Sequence, residues 1–228
     1  MSVNNLTHVA FILDGNKRWA KKNKLKTILG YQKGFDNIKK IVDCSLDLNI
    51  SHLTLFTLSS ENFKRSSIDV IYEIIYKNFS KILDEFIEQK NVKIKIIGSR
   101  INIPHKINDI FNKVETISIN NEKLTLNIAF NYGFTDEIKS VVNKIQSTKD
   151  KNKLETFKDI KGLFFLGNMP DPDILIRTGG YQRLSNFIMF NLTYTELFFT
   201  KTLWPDFDTI EYNKIINKFY NINRKYGL

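Results

Sequence analysis

A single cysteine, Cys44, is all the thiol chemistry this 228-residue chain contains. An intramolecular disulfide is therefore excluded, and the composition fits a reducing compartment, so a cytoplasmic location is expected. Cys44 falls within a helical pattern and reads as a small core residue. The three histidines, His8, His52 and His105, are scattered and lack metal-ligand spacing. No window approaches 18 uncharged apolar residues, so no membrane span is expected. Nor does the N-terminus show a charged region followed by an apolar stretch, so no secretory signal is expected either. Internal repeats and long linkers are missing too, and residues 1–228 are expected to form one domain. Acidic residues are outnumbered, 24 against 34 basic ones, for a net charge of +10. Such an excess can serve nucleic acid, an anionic membrane surface or an anionic substrate. The lysines are spread out (Lys21, Lys22, Lys24, Lys26, then Lys39, Lys40, then Lys149, Lys151, Lys153) without interleaved aromatics, so nucleic acid is not an expected partner.

Hydrophobic residues make up 42% of the chain, enough for a substantial core. Short β-rich runs at His8–Leu13, Leu53–Leu58, Val92–Ile97, Leu124–Phe130 and Ile174–Ile176 alternate with helical patterns. Phe35, Ile38, Val42 and Leu46 recur at spacings of three and four. A longer pattern, from Ile68 to Gln89, carries Ile68, Ile71, Ile75, Phe79, Ile82 and Phe86. Ile107 to Ile117 and Ile138 to Ile145 repeat the theme, and Ser147–Lys153 reads as a polar loop. Alternation of this kind predicts an α/β fold, a mostly parallel central sheet flanked by helices. Ligands then bind beyond the carboxyl ends of the strands, where Asp14, Ser59, Asn131 and Arg177 all fall.

Two segments carry the chemistry. Pro170-Asp171-Pro172-Asp173-Ile174-Leu175-Ile176-Arg177-Thr178-Gly179-Gly180 ends a strand in an arginine, and Arg183-Leu184-Ser185-Asn186-Phe187 follows. Two guanidiniums beside a hydroxyl and exposed backbone N–H groups suit a phosphate or diphosphate. Near the N-terminus, Asp14-Gly15-Asn16-Lys17-Arg18-Trp19 joins a strand end to a helix start. Unpaired N–H groups at such a start attract anions, and Gly15 admits the ligand to the backbone. Asp14 would repel a bare phosphate, so its presence points to a bridging Mg²⁺. The commoner role of an aspartate there is simple N-capping.

Together with Ser59-Ser60-Glu61-Asn62-Phe63-Lys64-Arg65, Asn131-Tyr132-Gly133, Glu196-Leu197-Phe198-Phe199 and Leu203-Trp204-Pro205-Asp206-Phe207, these segments resemble the cis-prenyltransferase family from His8 to Gly227. The resemblance implies condensation of isopentenyl diphosphate with an allylic diphosphate, farnesyl diphosphate above all, to give a long cis-polyprenyl diphosphate. Undecaprenyl diphosphate for cell-wall glycan carriers is the product it suggests. It further implies Mg²⁺ on Asp14, with Glu196 as a second metal ligand reaching the ion from a neighbouring subunit of a homodimer. Gly15, Asn16, Lys17 and Arg18 would cradle the allylic diphosphate, with Trp19, Thr27 and Tyr31 beside it. Arg177, Arg183, Leu184 and Ser185 would meet isopentenyl diphosphate. Ser59, Ser60, Glu61, Asn62, Phe63 and Arg65 would lie beside the reacting carbons, with Asn62 the candidate in proton removal. An amide is a poor base, and a substrate phosphate oxygen is the other candidate acceptor.

The chain also departs from the family pattern. Tyr31 stands where histidine is common, Thr27 where many members place arginine, Leu58 and Phe63 for Phe and Trp, and Phe190-Asn191 for Trp-Gln. An Asp-Asp-x-x-Asp motif, the mark of the all-helical trans-prenyltransferases, does not occur. A growing tail needs an apolar tunnel, and one face of the Ile68–Gln89 helix is long enough to form a wall of it. The product would bring the enzyme into peripheral contact with the inner face of the membrane. A non-catalytic partner subunit, or a basic RNA-binding protein, are the competing readings; the first should lack the aspartate and arginines found here.

Overall fold

The five β-rich runs, joined by the segment Glu196–Phe199, become the strands of one wholly parallel sheet in the computed structural model, which describes residues 5–63, 68–88, 90–148 and 154–224. The strands are β1 (His8–Ile12), β2 (His52–Ser59), β3 (Val92–Ile97), β4 (Leu124–Tyr132), β5 (Ile174–Arg177) and β6 (Glu196–Phe199). Their order across the sheet is β3-β4-β2-β1-β5-β6. All five residues of β1 and all four of β5 are buried, as parallel strands covered on both faces require. Described helices are α1 (Asn16–Lys22), α2 (Thr27–Asp47), α3 (Ser60–Phe63), α4 (Ile68–Lys81), α5 (His105–Ile117), α6 (Phe134–Ser147), α7 (Phe157–Lys161) and α8 (Thr209–Tyr220). The expected helix from Ile68 continues past Lys81 as a π-helical stretch, Ile82–Glu88, and Gln89 lies outside the described residues, as does Lys149–Lys153 of the expected loop.

The order of strands decides where a ligand can bind. From β1 the chain moves to β2 on one side, whereas β5 joins β1 on the other. Connections leaving in opposite directions open a crevice at the carboxyl ends of β1 and β5, the switch point of an open parallel sheet. One face of the sheet packs Val9, Phe11, Leu53 and Leu55 under α2, α4, α5 and α8. Phe11 there meets Trp204, Phe207 and Tyr212 edge-on at 5.4–5.8 Å. Trp204 is a buried packing residue, with its indole N–H on the Gly34 carbonyl at 2.8 Å. Cys44 is buried in this core.

On the opposite face His8, Thr54 and Asn127 form a buried polar chain. His8 Nδ1 lies 2.7 Å from the Pro170 carbonyl, which can only accept, so Nδ1 carries the proton. Nε2 then accepts from Thr54 Oγ1 at 2.7 Å, and Asn127 donates to the same oxygen at 3.0 Å. Burial holds the His8 imidazole neutral, its pKa lowered to about 4. His8 and His52, far apart in sequence, stand side by side because β1 and β2 pair in that register.

Candidate active site

The crevice between β1 and β5 is closed by one ion pair. Arg177, the last residue of β5, is only 3% exposed and donates to Asp14 Oδ2 at 3.0 Å. Arg18, one turn into α1, donates to Asp14 Oδ1 at 2.9 Å and to the Gly179 carbonyl at 2.7 Å. Asp14 is not the N-cap of α1. That position belongs to Gly15, whose φ of 129° favours glycine and whose added Cβ would meet Leu203 at 2.9 Å. Nor does Asp14 simply face water, since both its oxygens hold guanidiniums. Thr178 fixes the crossing from beneath: its hydroxyl donates to the Asp14 carbonyl at 2.8 Å and accepts from the Asp14 amide at 3.0 Å.

Arg177 also donates to Ser185 Oγ at 2.7 Å and to the Arg183 carbonyl, so the two arginines of the second motif are joined through backbone and hydroxyl. Arg183 Nε reaches the same Ser185 oxygen at 3.3 Å. Ser185 and Asn186 both adopt positive φ, 52° and 63°, a kinked pair that aims the Ser185 hydroxyl back at Arg177. Leu184 points the other way and packs on the core cluster of Ala10, Phe56 and Phe187, so its part is support. Arg177 Nε is buried without a partner among the described residues.

Asp14, Gly15, Asn16, Lys17, Arg18, Tyr31 and Asn62 line one polar pocket of about 180 Å³. Asp14 is the one carboxylate among the described residues that line it. Among the described residues no three His, Cys, Asp or Glu side chains cluster as a metal cage. Within one chain's described residues, a divalent ion could be held there by Asp14 together with oxygens of a ligand, an arrangement common for Mg²⁺. Asn62 sits at the end of α3, its amide donating to Ser59 Oγ at 3.1 Å, so Ser59 acts as the cap of that short helix. Glu61 accepts from Asn186 at 2.8 Å, and Ser60 donates to Asp136 Oδ2 at 2.6 Å. Ser60, Glu61 and Phe63 border a separate open groove beside β4, and Arg65 lies outside the described residues.

Three expectations part from this cluster. Trp19 donates its indole N–H to Asp206 at 2.6 Å and does not line the pocket, because that bond ties α1 to the segment after β6. Thr27 is exposed at the start of α2 and does not line it either. Glu196 begins β6 opposite Ile174, at the amino end of the sheet, whereas Asp14 follows its carboxyl end. Three residues of strand, roughly 10 Å, separate Glu196 from the Arg177 level. One chain does not bring the two carboxylates together. Thr178, which positions Asp14, and Asn186, which bridges Glu61 and Thr135 (2.8 and 3.1 Å), stand inside the quoted motifs, where their residue types alone do not mark them. Their neighbours Arg177 and Ser185 were the only signal for them.

Behind the polar pocket lies an apolar cavity of about 130 Å³ between the sheet, α2, α4 and α5. Ile75, Ile82, Phe111 and Phe130 are among the residues that line it. Leu13, Asn16, Tyr31, Thr57 and Ile71 line both spaces, so cavity and pocket share walls.

Comparison with known proteins places the chain among relatives of one kind. A family profile described as "Putative undecaprenyl diphosphate synthase" matches residues 12–227. An isoprenyl transferase of Aquifex aeolicus is 37% identical over 230 residues, covering 100% of this chain and 98% of that one. That of Thermotoga maritima is 37% identical over 225 residues, 96% of each. Among solved structures, lavandulyl diphosphate synthase from Lavandula x intermedia, in complex with dimethylallyl diphosphate, superposes with a TM-score of 0.91 at 28% identity, covering 97% and 98% of the two chains. A probable undecaprenyl diphosphate synthase from Campylobacter jejuni gives 0.82 at 30% identity, covering 99% and 100%.

Proposed function

The chain belongs to the undecaprenyl diphosphate synthase family of prenyltransferases and is a cis-prenyltransferase, and we propose that it adds isopentenyl diphosphate units to farnesyl diphosphate to build a long polyprenyl diphosphate. One observation carries this reading: a cationic pocket and an apolar cavity share five wall residues. Only an amphiphile with a charged head and a hydrocarbon tail uses both. The head would sit at Gly15–Arg18 and the start of α1, the tail in the cavity between α2 and α4. Each added methylene that leaves water contributes about 0.8 kcal/mol.

In this reading Arg177, Arg183 and Ser185 hold the diphosphate of isopentenyl diphosphate across the crevice. Asp14 would hold Mg²⁺ together with the allylic diphosphate oxygens, and the ion supplies neutralisation of the charge that grows on the leaving diphosphate. Arg18 donates to the same group, and Asn62 faces the reacting carbons from the end of α3. The proton lost from isopentenyl diphosphate goes to a phosphate oxygen, since an amide is a poor base. A silent partner subunit would not need the Asp14–Arg177–Arg18 set. For a metal shared with Glu196, that residue must come from a second copy, which fits the homodimer proposed here; β6 is the sheet's edge and exposes Leu197 and Phe199. We place the enzyme in the cytoplasm, touching the membrane through its product, the carrier for cell-wall glycan. No helix among the described residues is long and apolar enough to cross a membrane.

Radiolabelled isopentenyl diphosphate with farnesyl diphosphate and Mg²⁺ tests the proposal. Label should pass into solvent-extractable product and stop when EDTA is added. Folded protein that transfers no label, yet is retained on RNA in a salt-dependent way, would turn the reading to nucleic acid.

A further inference from the structure

Three guanidiniums of the site converge on one aromatic ring. Arg183 Cζ lies 4.4 Å, Arg18 Cζ 4.9 Å and Arg177 Cζ 5.7 Å from the centroid of Tyr181. All three fall within the roughly 6 Å over which a cation is drawn to a ring. The ring is carried there by the turn after β5, where Gly179 and Gly180 take φ of 83° and 84°. A Cβ on Gly179 would meet Arg18 Nη2 at 2.4 Å and the Asp14 carbonyl at 2.9 Å, so the turn lies directly against the cluster. Tyr181 itself is 45% exposed, so its place is not dictated by core packing.

Electrostatics explain why a ring is useful at that point. The three arginines repel one another, and Asp14 supplies one negative charge, shared between Arg18 and Arg177. Arg183 is held more loosely, through the 3.3 Å contact of its Nε with Ser185. The negative face of an aromatic ring attracts all three without the desolvation cost of a second carboxylate, and without competing as a full charge against an incoming anion. We propose that Tyr181 is a positioning residue that gathers Arg18, Arg177 and Arg183 into one diphosphate-receptive cluster before the ligand arrives. The inference rests on the diphosphate reading above and adds to it the residue that sets the affinity of the cluster. Arginines already gathered lose less freedom on binding, so the gain shows in affinity.

Inorganic pyrophosphate, titrated calorimetrically into the full chain, and the KM for isopentenyl diphosphate provide the test. Tyr181→Ala and Tyr181→Leu should each weaken pyrophosphate binding and raise KM by roughly tenfold, the scale of a partly desolvated cation–π contact. The value of kcat should change far less. Tyr181→Phe keeps the ring and should restore both quantities. Thermal unfolding of the variants should match the parent, since the residue is half exposed. If Leu restores binding as well as Phe, bulk and not the ring's charge distribution is the cause, and the proposal falls. Equal pyrophosphate affinity in parent and Tyr181→Ala overturns it while leaving the diphosphate site standing. A parent chain that binds neither pyrophosphate nor isopentenyl diphosphate overturns both.

Discussion

Asp14 links the two halves of the polar site, holding Arg18 of the helix that follows it and Arg177 across the crevice. Asp14→Asn keeps the shape and removes the charge. Turnover should fall by about 10²–10³-fold, the scale of losing one preorganised electrostatic element. Near-normal turnover at saturating Mg²⁺ would remove Asp14 from any metal role. Asp14→Ala is a poorer test, because it strips a partner from the buried Arg177, a change that costs stability as well as activity. Arg183→Ala should raise the KM for isopentenyl diphosphate by the equivalent of ~1.5–3 kcal/mol, and Arg183→Lys should recover part of it. Arg177→Ala should do the same with an added loss of stability, since Arg177 is buried and Arg183 exposed. If both variants altered only the KM for the allylic primer, the two diphosphate positions would be exchanged. That Asp14, Arg18, Arg177 and Ser185 come together was legible in the sequence because charge and strand-end position marked them together. Trp19, Leu184 and Glu196 were not, since motif membership does not reveal which way a side chain points or at which end of a strand it stands.

Among the elements, α4 carries the clearest functional expectation. The apolar spacing of α4 and the π-helical stretch after it, at Ile71, Ile75 and Ile82, reads as a core face, and some of it is: Ile74 and Phe86 are buried. The same face also borders the apolar cavity, with Ile75 and Ile82 on its wall. Periodicity cannot distinguish packing against a sheet from packing against a space, and that a growing tail fills this space is part of the proposal. Ile75→Trp or Ile82→Trp should shorten the product, measured by chromatography of the chain lengths, while the first condensation survives. Unchanged lengths in stable variants at both positions would move the tail elsewhere. The sequence pattern ran straight to Gln89, whereas the helix changes to a π-helical stretch at Ile82; hydrogen-bond register leaves no trace in hydrophobic spacing. Strand β6 went unforeseen because its alternate residues are exposed, so no continuous buried run announces it.

The whole molecule is a parallel sheet whose strand order puts four motifs on one edge, and that arrangement was legible from alternating strand and helix patterns alone. Strand order was not, because apolar runs say nothing of which neighbours they choose. The histidines show the consequence: scattered in sequence, His8 and His52 are neighbours across β1 and β2. His8 also ties global stability to pH. Its folded pKa of about 4 lies below the unfolded value near 6.5, so the unfolded chain takes up a proton first. Stability should therefore fall as pH drops from 6.5 to 4, by roughly 3 kcal/mol from this residue. Urea midpoints of parent and His8→Asn should converge across that window; parallel pH profiles would contradict it. For the function, the most direct measurement is the length and double-bond geometry of the product formed by the full chain from isopentenyl diphosphate, farnesyl diphosphate and Mg²⁺, read by mass spectrometry and NMR. The expected result is a long polyprenyl diphosphate in which every added unit is cis. Added units that are trans, or folded protein that extends no primer in the presence of Mg²⁺, would contradict it.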